Sequence, residues 1–391
     1  MRICYICADP GIPLFGRKGC STHVRETCRV LQDLGHEVRL VCSNVEGDEA
    51  DKALCDIVRV KSPRSKKLGF DLRHVLLDRR LGRCLAELIE TWKPHAIYER
   101  YSLYSCAGLR VCDRHGLPRL LEVNAFLTKE QKGRIRFPWL ARRVERGIIR
   151  RAPRVIVVSE PLRQEVHALG VSLSSIAKMP MAVNLEKFSP EGNGQAIRAR
   201  LDLEGRFVIG YVGTLSGWHG IRLFYDTARR LKERGAAPFV FLVVGGEGKK
   251  LELNRLQTIE AGLEDEIRFI GSVPHEQVPA YIRAMDAAMV PDTTYWSSPA
   301  KLFEYQATGV PVLAPSYPAI HESLEHGREG LIYPPRDIEQ MTEMVTQLMR
   351  DPDMCRQMGQ AARRRAELEH SWRHNGEQIL TLFHELGVDN T

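Results

Sequence analysis

The feature that most limits the fold is an alternation. Short runs, apolar throughout and rich in β-branched residues, are each followed by a longer stretch of helical spacing. The first set is Ile3 to Ala8, Glu37 to Ser43, Ala96 to Glu99, Arg119 to Val123 and Val155 to Ser159. Runs that stay apolar, without alternating polar positions, suit strands covered on both faces. That means a parallel sheet with helices packed on each side. After the polar, Gly-containing passage Pro190 to Gly205 the pattern restarts with Phe207 to Val212, Phe239 to Val244, Ile267 to Ile270, Ala287 to Val290, Val310 to Ala314 and Gly330 to Tyr333. The expected class is α/β with two Rossmann-like domains, their parallel sheets facing across a cleft, where the carboxyl ends of open sheets bind ligands. The expected boundaries are 1–190 and 191–370, with a last helical stretch, Ser371 to Leu386 within 371–391, crossing back to complete the first domain. A length of 391 residues fits two such cores.

Composition excludes several classes. Hydrophobic residues make up 43% and charged residues 27%, as in globular proteins. No apolar run approaches the roughly 20 residues of a membrane span. Met1 to Ala8 reads as a strand that starts at once, without the pattern of a signal peptide, so a cytoplasmic location is expected. Cysteines such as Cys4 and Cys7 are scattered and read as reduced core residues, because positions three apart on a strand point to opposite faces. The formal charge of +7 favours anionic partners.

Several glycine turns follow strands. Gly16 to Val24 opens a helix that stops at Gly35, and Gly19 at its start would let backbone approach a phosphate, although an ordinary turn accounts for it equally well. His23 lies in the same turn. In the second half, Gly213-Thr214-Leu215-Ser216-Gly217-Trp218-His219-Gly220 and Gly245-Gly246-Glu247-Gly248 follow successive strands, opening on one edge of one sheet. The most informative segment runs from Ser297 to Val312. Ser298 is expected to cap a helix, Pro299 to occupy its first position and Gly309 to stop it. Lys301 in the first turn opposes the helix dipole, which suggests a bound anion. Glu304, about a turn further, can accept hydrogen bonds from both hydroxyls of a ribose.

Here the chain resembles the retaining GT-B glycosyltransferases of family 4, which use nucleotide diphosphate sugars. The likeness covers nearly the whole chain. It includes Lys18 to Val24, Gly35-His36-Glu37-Val38, Phe188-Ser189-Pro190, Val212-Gly213, Val244-Gly245 and Phe269-Ile270-Gly271. Ser298-Pro299-x-Lys301-Leu302-Phe303-Glu304-Tyr305 through Gly309-x-Pro311-Val312 is the most specific part. It implies metal-independent transfer with retained configuration from a UDP- or GDP-linked sugar, with no cofactor beyond that donor. Catalytic roles are implied for Lys301, His219 and Glu304. Gly19, Gly213, Thr214, Gly245, Glu247, Ser298, Leu302 and Glu304 would bind the donor, the amides of Leu302 and Gly19 meeting its phosphates.

The departures are specific. Trp296 stands eight positions before Glu304, where relatives carry a second glutamate. Thr214 and His219 stand where relatives place arginine and lysine, so a protonated His219 would have to share the diphosphate's charge. Met181-Ala182 replaces the usual Asn-Gly before the linker. These absences leave open a second function, a non-catalytic GT-B partner or scaffold of a glycan-assembly pathway. An epimerase or phosphorylase shares the architecture without a recognisable catalytic set.

At the carboxyl ends of middle strands of the first half, Glu99-Arg100 and Glu122-Val123-Asn124 are expected to face the ligand. Glu99, Arg100, Asn124 and His23 are the candidate acceptor residues, with a structural Glu99–Arg100 ion pair equally open. The acceptor is read as a glycan or lipid-linked molecule. The stretch 129–154 carries ten basic residues against Glu130 and Glu145. One side of its helix, Leu140, Val144 and Ile148, could rest on anionic lipid at the inner membrane face or pack on the sheet. Nucleic acid is not expected, since no interleaved aromatic platform accompanies the charges.

Overall fold

The computed structural model describes residues 1–47, 54–63 and 68–388. It divides into two compact units. Met1–Pro180 and the chain from Trp372 onward form the first, and Met181–Ser371 the second.

In the first unit, strands β1 (Arg2–Cys7), β2 (Glu37–Cys42), β3 (Asp56–Arg59), β4 (Ala96–Arg100), β5 (Arg119–Val123), β6 (Arg154–Val157) and β7 (Ile176–Lys178) form one sheet in the order β3-β2-β1-β4-β5-β6-β7. Every pairing is parallel. The second unit has β8 (Phe207–Val212), β9 (Phe239–Val244), β10 (Ile267–Gly271), β11 (Ala287–Met289), β12 (Val312–Pro315) and β13 (Gly330–Tyr333), again all parallel, in the order β10-β9-β8-β11-β12-β13. The apolar runs coincide with β1, β2, β4, β5 and β6 of the first sheet and with all six strands of the second, its edges β10 and β13 included. Cys4, Ile6, Val41 and Ile97 of the first sheet pack against Leu77, Leu81, Leu85 and Trp92 of the helix Phe70–Trp92. Tyr211, Phe241 and Met289 pack with Phe224, Met341 and Val345 in the second unit.

Two edge strands, β3 and β7, were not expected. β3 is largely exposed and β7 has three residues, so neither needs the unbroken apolar run that marks a strand covered on both faces.

The units divide earlier than the expected position 190, because residues 181–190 are held by the second unit. The Arg363 guanidinium donates to the carbonyls of Leu185, Phe188 and Ala307, and Arg283 Nε donates to that of Ser189. The helix Trp372–Glu385 belongs to the first unit. There its Gly376 lies against Val30 and Leu34, where a β-carbon would come within 2.9 Å of both, and Asn375 donates to the Pro180 carbonyl at 2.9 Å. Among the described residues, no helix is long and apolar enough to cross a membrane. Cys4 and Cys7 are buried on β1, and burial pushes both thiols well up, which leaves them unreactive.

In each sheet the strand order reverses once, between β1 and β4 and between β8 and β11. Crossovers leave opposite faces of the sheet at such a point, which opens a crevice at the strand carboxyl ends.

Candidate functional site

At the reversal of the second sheet, β8 ends in Gly213 and β9 in Gly245. Both have positive φ, 151° and 121°. A β-carbon on Gly245 would lie 2.2 Å from the Gly213 carbonyl oxygen, and one on Gly213 would lie 2.8 Å from Lys301 Nζ. No side chain fits at either turn. The bare backbone at these two turns lets Lys301, Tyr211 and the neighbouring turn approach closely.

Lys301 arrives on the helix Ala300–Ala307. Its ammonium lies over the Tyr211 ring, 4.1 Å from the centroid, and donates to Tyr211 Oη at 3.0 Å. That hydroxyl donates in turn to the Thr214 carbonyl at 2.9 Å, so Tyr211 joins the lysine to the glycine turn. Tyr305 Oη accepts from the Val212 amide at 2.7 Å and pins the same helix to the end of β8. Burial holds Lys301 down to about 7, with Glu304 opposing the shift. His219 closes the other side, its ring 6.2 Å from that of Tyr211 and tilted against the exposed Trp218, 3.6 Å between centroids. Burial first, and then the Lys301 charge, hold His219 down to about 3. Both cationic candidates are therefore restrained by desolvation, and an anion placed beside them would remove the restraint.

Glu304, one turn beyond Lys301, is half-buried with Oε1 3.8 Å from His275 Nε2. Lys187 Nζ contacts His275 Nδ1 at 2.6 Å. Thr214 is exposed, with its hydroxyl 3.3 Å from that of Ser216, and Glu247 is exposed at the start of the helix Gly248–Glu260.

Two expectations about this site are corrected. Ser298 does not cap the helix. Pro299 is the N-cap, and Ser298 Oγ accepts from the Met181 amide at 3.1 Å instead. The Leu302 amide is not open to a phosphate, because it donates to the Pro299 carbonyl at 2.9 Å, and its side chain is buried.

The first unit has its own polar centre. The hub is Glu122, which sequence reasoning placed at a strand end without assigning it a role. Its Oε1 lies 2.7 Å from His23 Nε2, and accepts from Arg100 at 2.9 Å and from Asn124 at 2.6 Å, while Oε2 accepts from Tyr98 at 3.0 Å. Burial pushes this carboxyl up, but His23 and Arg100 outweigh it and hold it down to about 2. Three of the four acceptor candidates, His23, Arg100 and Asn124, thus meet on one carboxylate. His23 is buried edge-on to Trp372, 5.2 Å between centroids.

The fourth, Glu99, does not join them. Neighbours on a strand point to opposite faces, so Glu99 turns to the other side of β4, pairs with the buried Arg119 at 2.7 Å and lies under Gly108. The expected Glu99–Arg100 pair is replaced by two crossed ones, Arg100–Glu122 and Arg119–Glu99. The parallel register, which sets Arg100 opposite Glu122, predicts the first of these once the pairing is known. Gly19 opens the first helix, Gly19–Asp33, at an exposed start whose N-cap, Lys18, makes no side-chain cap and whose first turn holds no acid.

Comparison with known proteins supplies the class. Residues 17–187 match the model of Glycosyltransferase Family 4, and residues 194–365 that of Glycosyl transferases group 1. The chain is similar to α-D-kanosaminyltransferase of Streptomyces kanamyceticus, 22% identical over 252 residues, 64% of each chain. The similarity thus spans just under two thirds of that relative's length. Among solved structures it resembles sucrose-phosphate synthase of Thermosynechococcus elongatus (TM-score 0.81, 21% identity, 98% of each chain). It also resembles Anabaena HepE in complex with UDP (TM-score 0.79, 16% identity, 98% of this chain and 100% of that one). With two Rossmann-like domains and a glycosyltransferase match on each, the chain is a GT-B glycosyltransferase.

Proposed function

We propose that the chain moves a sugar from a nucleotide diphosphate sugar to a hydroxyl of a glycan or lipid-linked acceptor, with retention at the anomeric carbon and without a metal. The observation that carries this reading is the Lys301–Tyr211–Gly213 arrangement. It is a desolvated lysine, fixed over an aromatic ring, against two strand ends stripped of side chains, at the reversal of a Rossmann-like sheet. A diphosphate there would receive the lysine's charge, and Glu304, one turn along, would take the ribose hydroxyls. The UDP bound to HepE supports a uridine nucleotide as the first choice of donor, with GDP-linked sugars next.

In the transfer, the bond from the anomeric carbon to the diphosphate oxygen breaks as the acceptor oxygen bonds on the same face. The departing diphosphate takes the acceptor's proton. The protein's part is to hold both substrates and to stabilise the charge that grows on the leaving group, the work assigned to Lys301 with His219 beside it. On the first unit, Arg100 and Asn124, oriented by Glu122, are assigned to the acceptor.

The test is a calorimetric panel of UDP, GDP, ADP and their common sugars on the wild type and on Glu304→Ala. One nucleotide binding, and its loss in the variant, is the expected result. The exposed Thr214, where relatives carry a cation, favours the second reading, a non-catalytic partner. Binding of none of the panel would establish that alternative over transfer.

A further inference from the structure

The basic stretch carries its exposed apolar groups elsewhere than its helical pattern suggests. Within the helix Pro138–Arg150, Ala141, Ile148 and Ile149 are buried, and Leu140 and Val144 pack with Phe70, Leu103, Tyr104 and Ile135. The side expected to meet lipid is therefore covered by the unit itself. What protrudes is the entry to that helix, where Trp139 is 68% exposed and Phe137 45%. Leu72, 49% exposed, stands at the same corner, because its neighbour Asp71 accepts the Arg136 amide at 2.9 Å.

Charge surrounds these three. Lys132, Arg134, Arg136, Arg142, Arg143 and Arg146 are all exposed, and the only acid from 131 to 147, Glu145, is buried. Glu145 accepts from Tyr101 and from the Thr128 amide, each at 3.2 Å, which anchors the helix while its arginines stay outside. The Arg134 and Arg136 guanidinium groups lie over Phe70 and Phe137, 4.7 and 5.6 Å from the ring centroids.

We propose that this corner docks on an anionic lipid bilayer, with Leu72, Phe137 and Trp139 entering the headgroup layer and the six basic side chains meeting lipid phosphates. Aromatic rings prefer that interfacial depth, and cations around a small apolar tip match a negatively charged surface. A soluble partner protein would be expected to offer acids and a pocket for the tip. Among the described residues from 131 to 147 no acid is exposed, and the exposed Glu130 stands at the border of the six cations, which fits a predominantly anionic surface better. The docking is independent of the proposed transfer reaction, so either can fail alone.

The experiment is flotation of the full-length chain with vesicles of phosphatidylcholine alone and of equal parts phosphatidylcholine and phosphatidylglycerol, at low and raised salt. The expected result is flotation with the anionic vesicles only, reversed by salt. Phe137→Ser with Trp139→Ser, and separately Arg142→Glu with Arg143→Glu, should each weaken it at least about tenfold. All these side chains are exposed, so thermal melting should be unchanged, and melting of each variant confirms the fold. No flotation of the wild type overturns the proposal. So does full binding by either variant, or binding of single-stranded RNA in place of vesicles.

Discussion

Burial holds Lys301 down to about 7, and this fixes how donor affinity must change with pH. The free amine of an exposed lysine appears only near pH 10.4, so burial disfavours the cation by about 5 kcal/mol. A diphosphate oxygen about 4 Å away, at an effective dielectric constant of about 20, returns about 4 kcal/mol per unit charge, enough to restore the cation in the complex. Binding then takes up a proton wherever free Lys301 is neutral. The sign follows: affinity is full below pH 7 and declines above it, by about 25-fold between pH 6.5 and 8.5 for a shift of this size. UDP-glucose is a suitable probe because its two phosphates keep one charge each over that range. Calorimetry at several pH values, repeated in buffers of different ionisation enthalpy, should report nearly one proton taken up per ligand at pH 8. Lys301→Met should bind weakly and without the slope. Affinity constant within about threefold across the range, or the same slope in Lys301→Met, would refute the reasoning.

Other expectations concern separate parts of the molecule. Glu304→Gln should weaken nucleotide binding by roughly 10- to 100-fold, the worth of hydrogen bonds to a charged acceptor, while the ligand-free protein melts as the wild type does. Glu122→Ala leaves His23 and Arg100 facing no carboxylate and should cost about 3 to 5 kcal/mol in denaturant unfolding. In the wild type, the Glu122 carboxyl is held below its unfolded value of 4.5, so its contribution is complete above that pH. It should disappear as pH falls from 4.5 to about 2, an acid transition that Glu122→Ala should lack. Gly213→Ala places a methyl group 2.8 Å from Lys301 Nζ at a φ of 151°. It should lower the melting temperature and cut nucleotide affinity together, whereas a substitution at the unobstructed Gly217 should change neither.

What could be read from the sequence follows from what each residue is forced to do. Central strands are covered on both faces, so β1, β8 and β9 are almost entirely apolar and identify themselves, while the edges β3 and β7 escape that requirement. The glycine turns at Gly213 and Gly245 were legible because only glycine tolerates those backbones. The partners of Lys301 were not, since Tyr211 sits inside an apolar run and looks like any other core residue of β8. The Glu122 hub was hidden for a related reason. Which charges meet across a parallel sheet depends on register, and register is set by long-range packing, so Glu99 next to Arg100 looked like a pair when each has its partner on another strand. Ser298 shows the limit of local rules, for its hydroxyl serves the distant Met181 amide instead of its own helix.

The return of the chain to the first unit at Trp372 sets an order of assembly. Met181–Ser371 is continuous and can fold as soon as it leaves the ribosome, but the earlier half must wait for the helix Trp372–Glu385 to cover Val30 and Leu34. At about 5 to 20 residues per second, the interval between Pro180 and Trp372 is roughly 10 to 40 s. Over that time the first-made half carries an uncovered apolar seam, while the second half is still being made. A chain shortened before Trp372 would keep that seam permanently, with Val30 and Leu34 left without the Gly376 face that covers them.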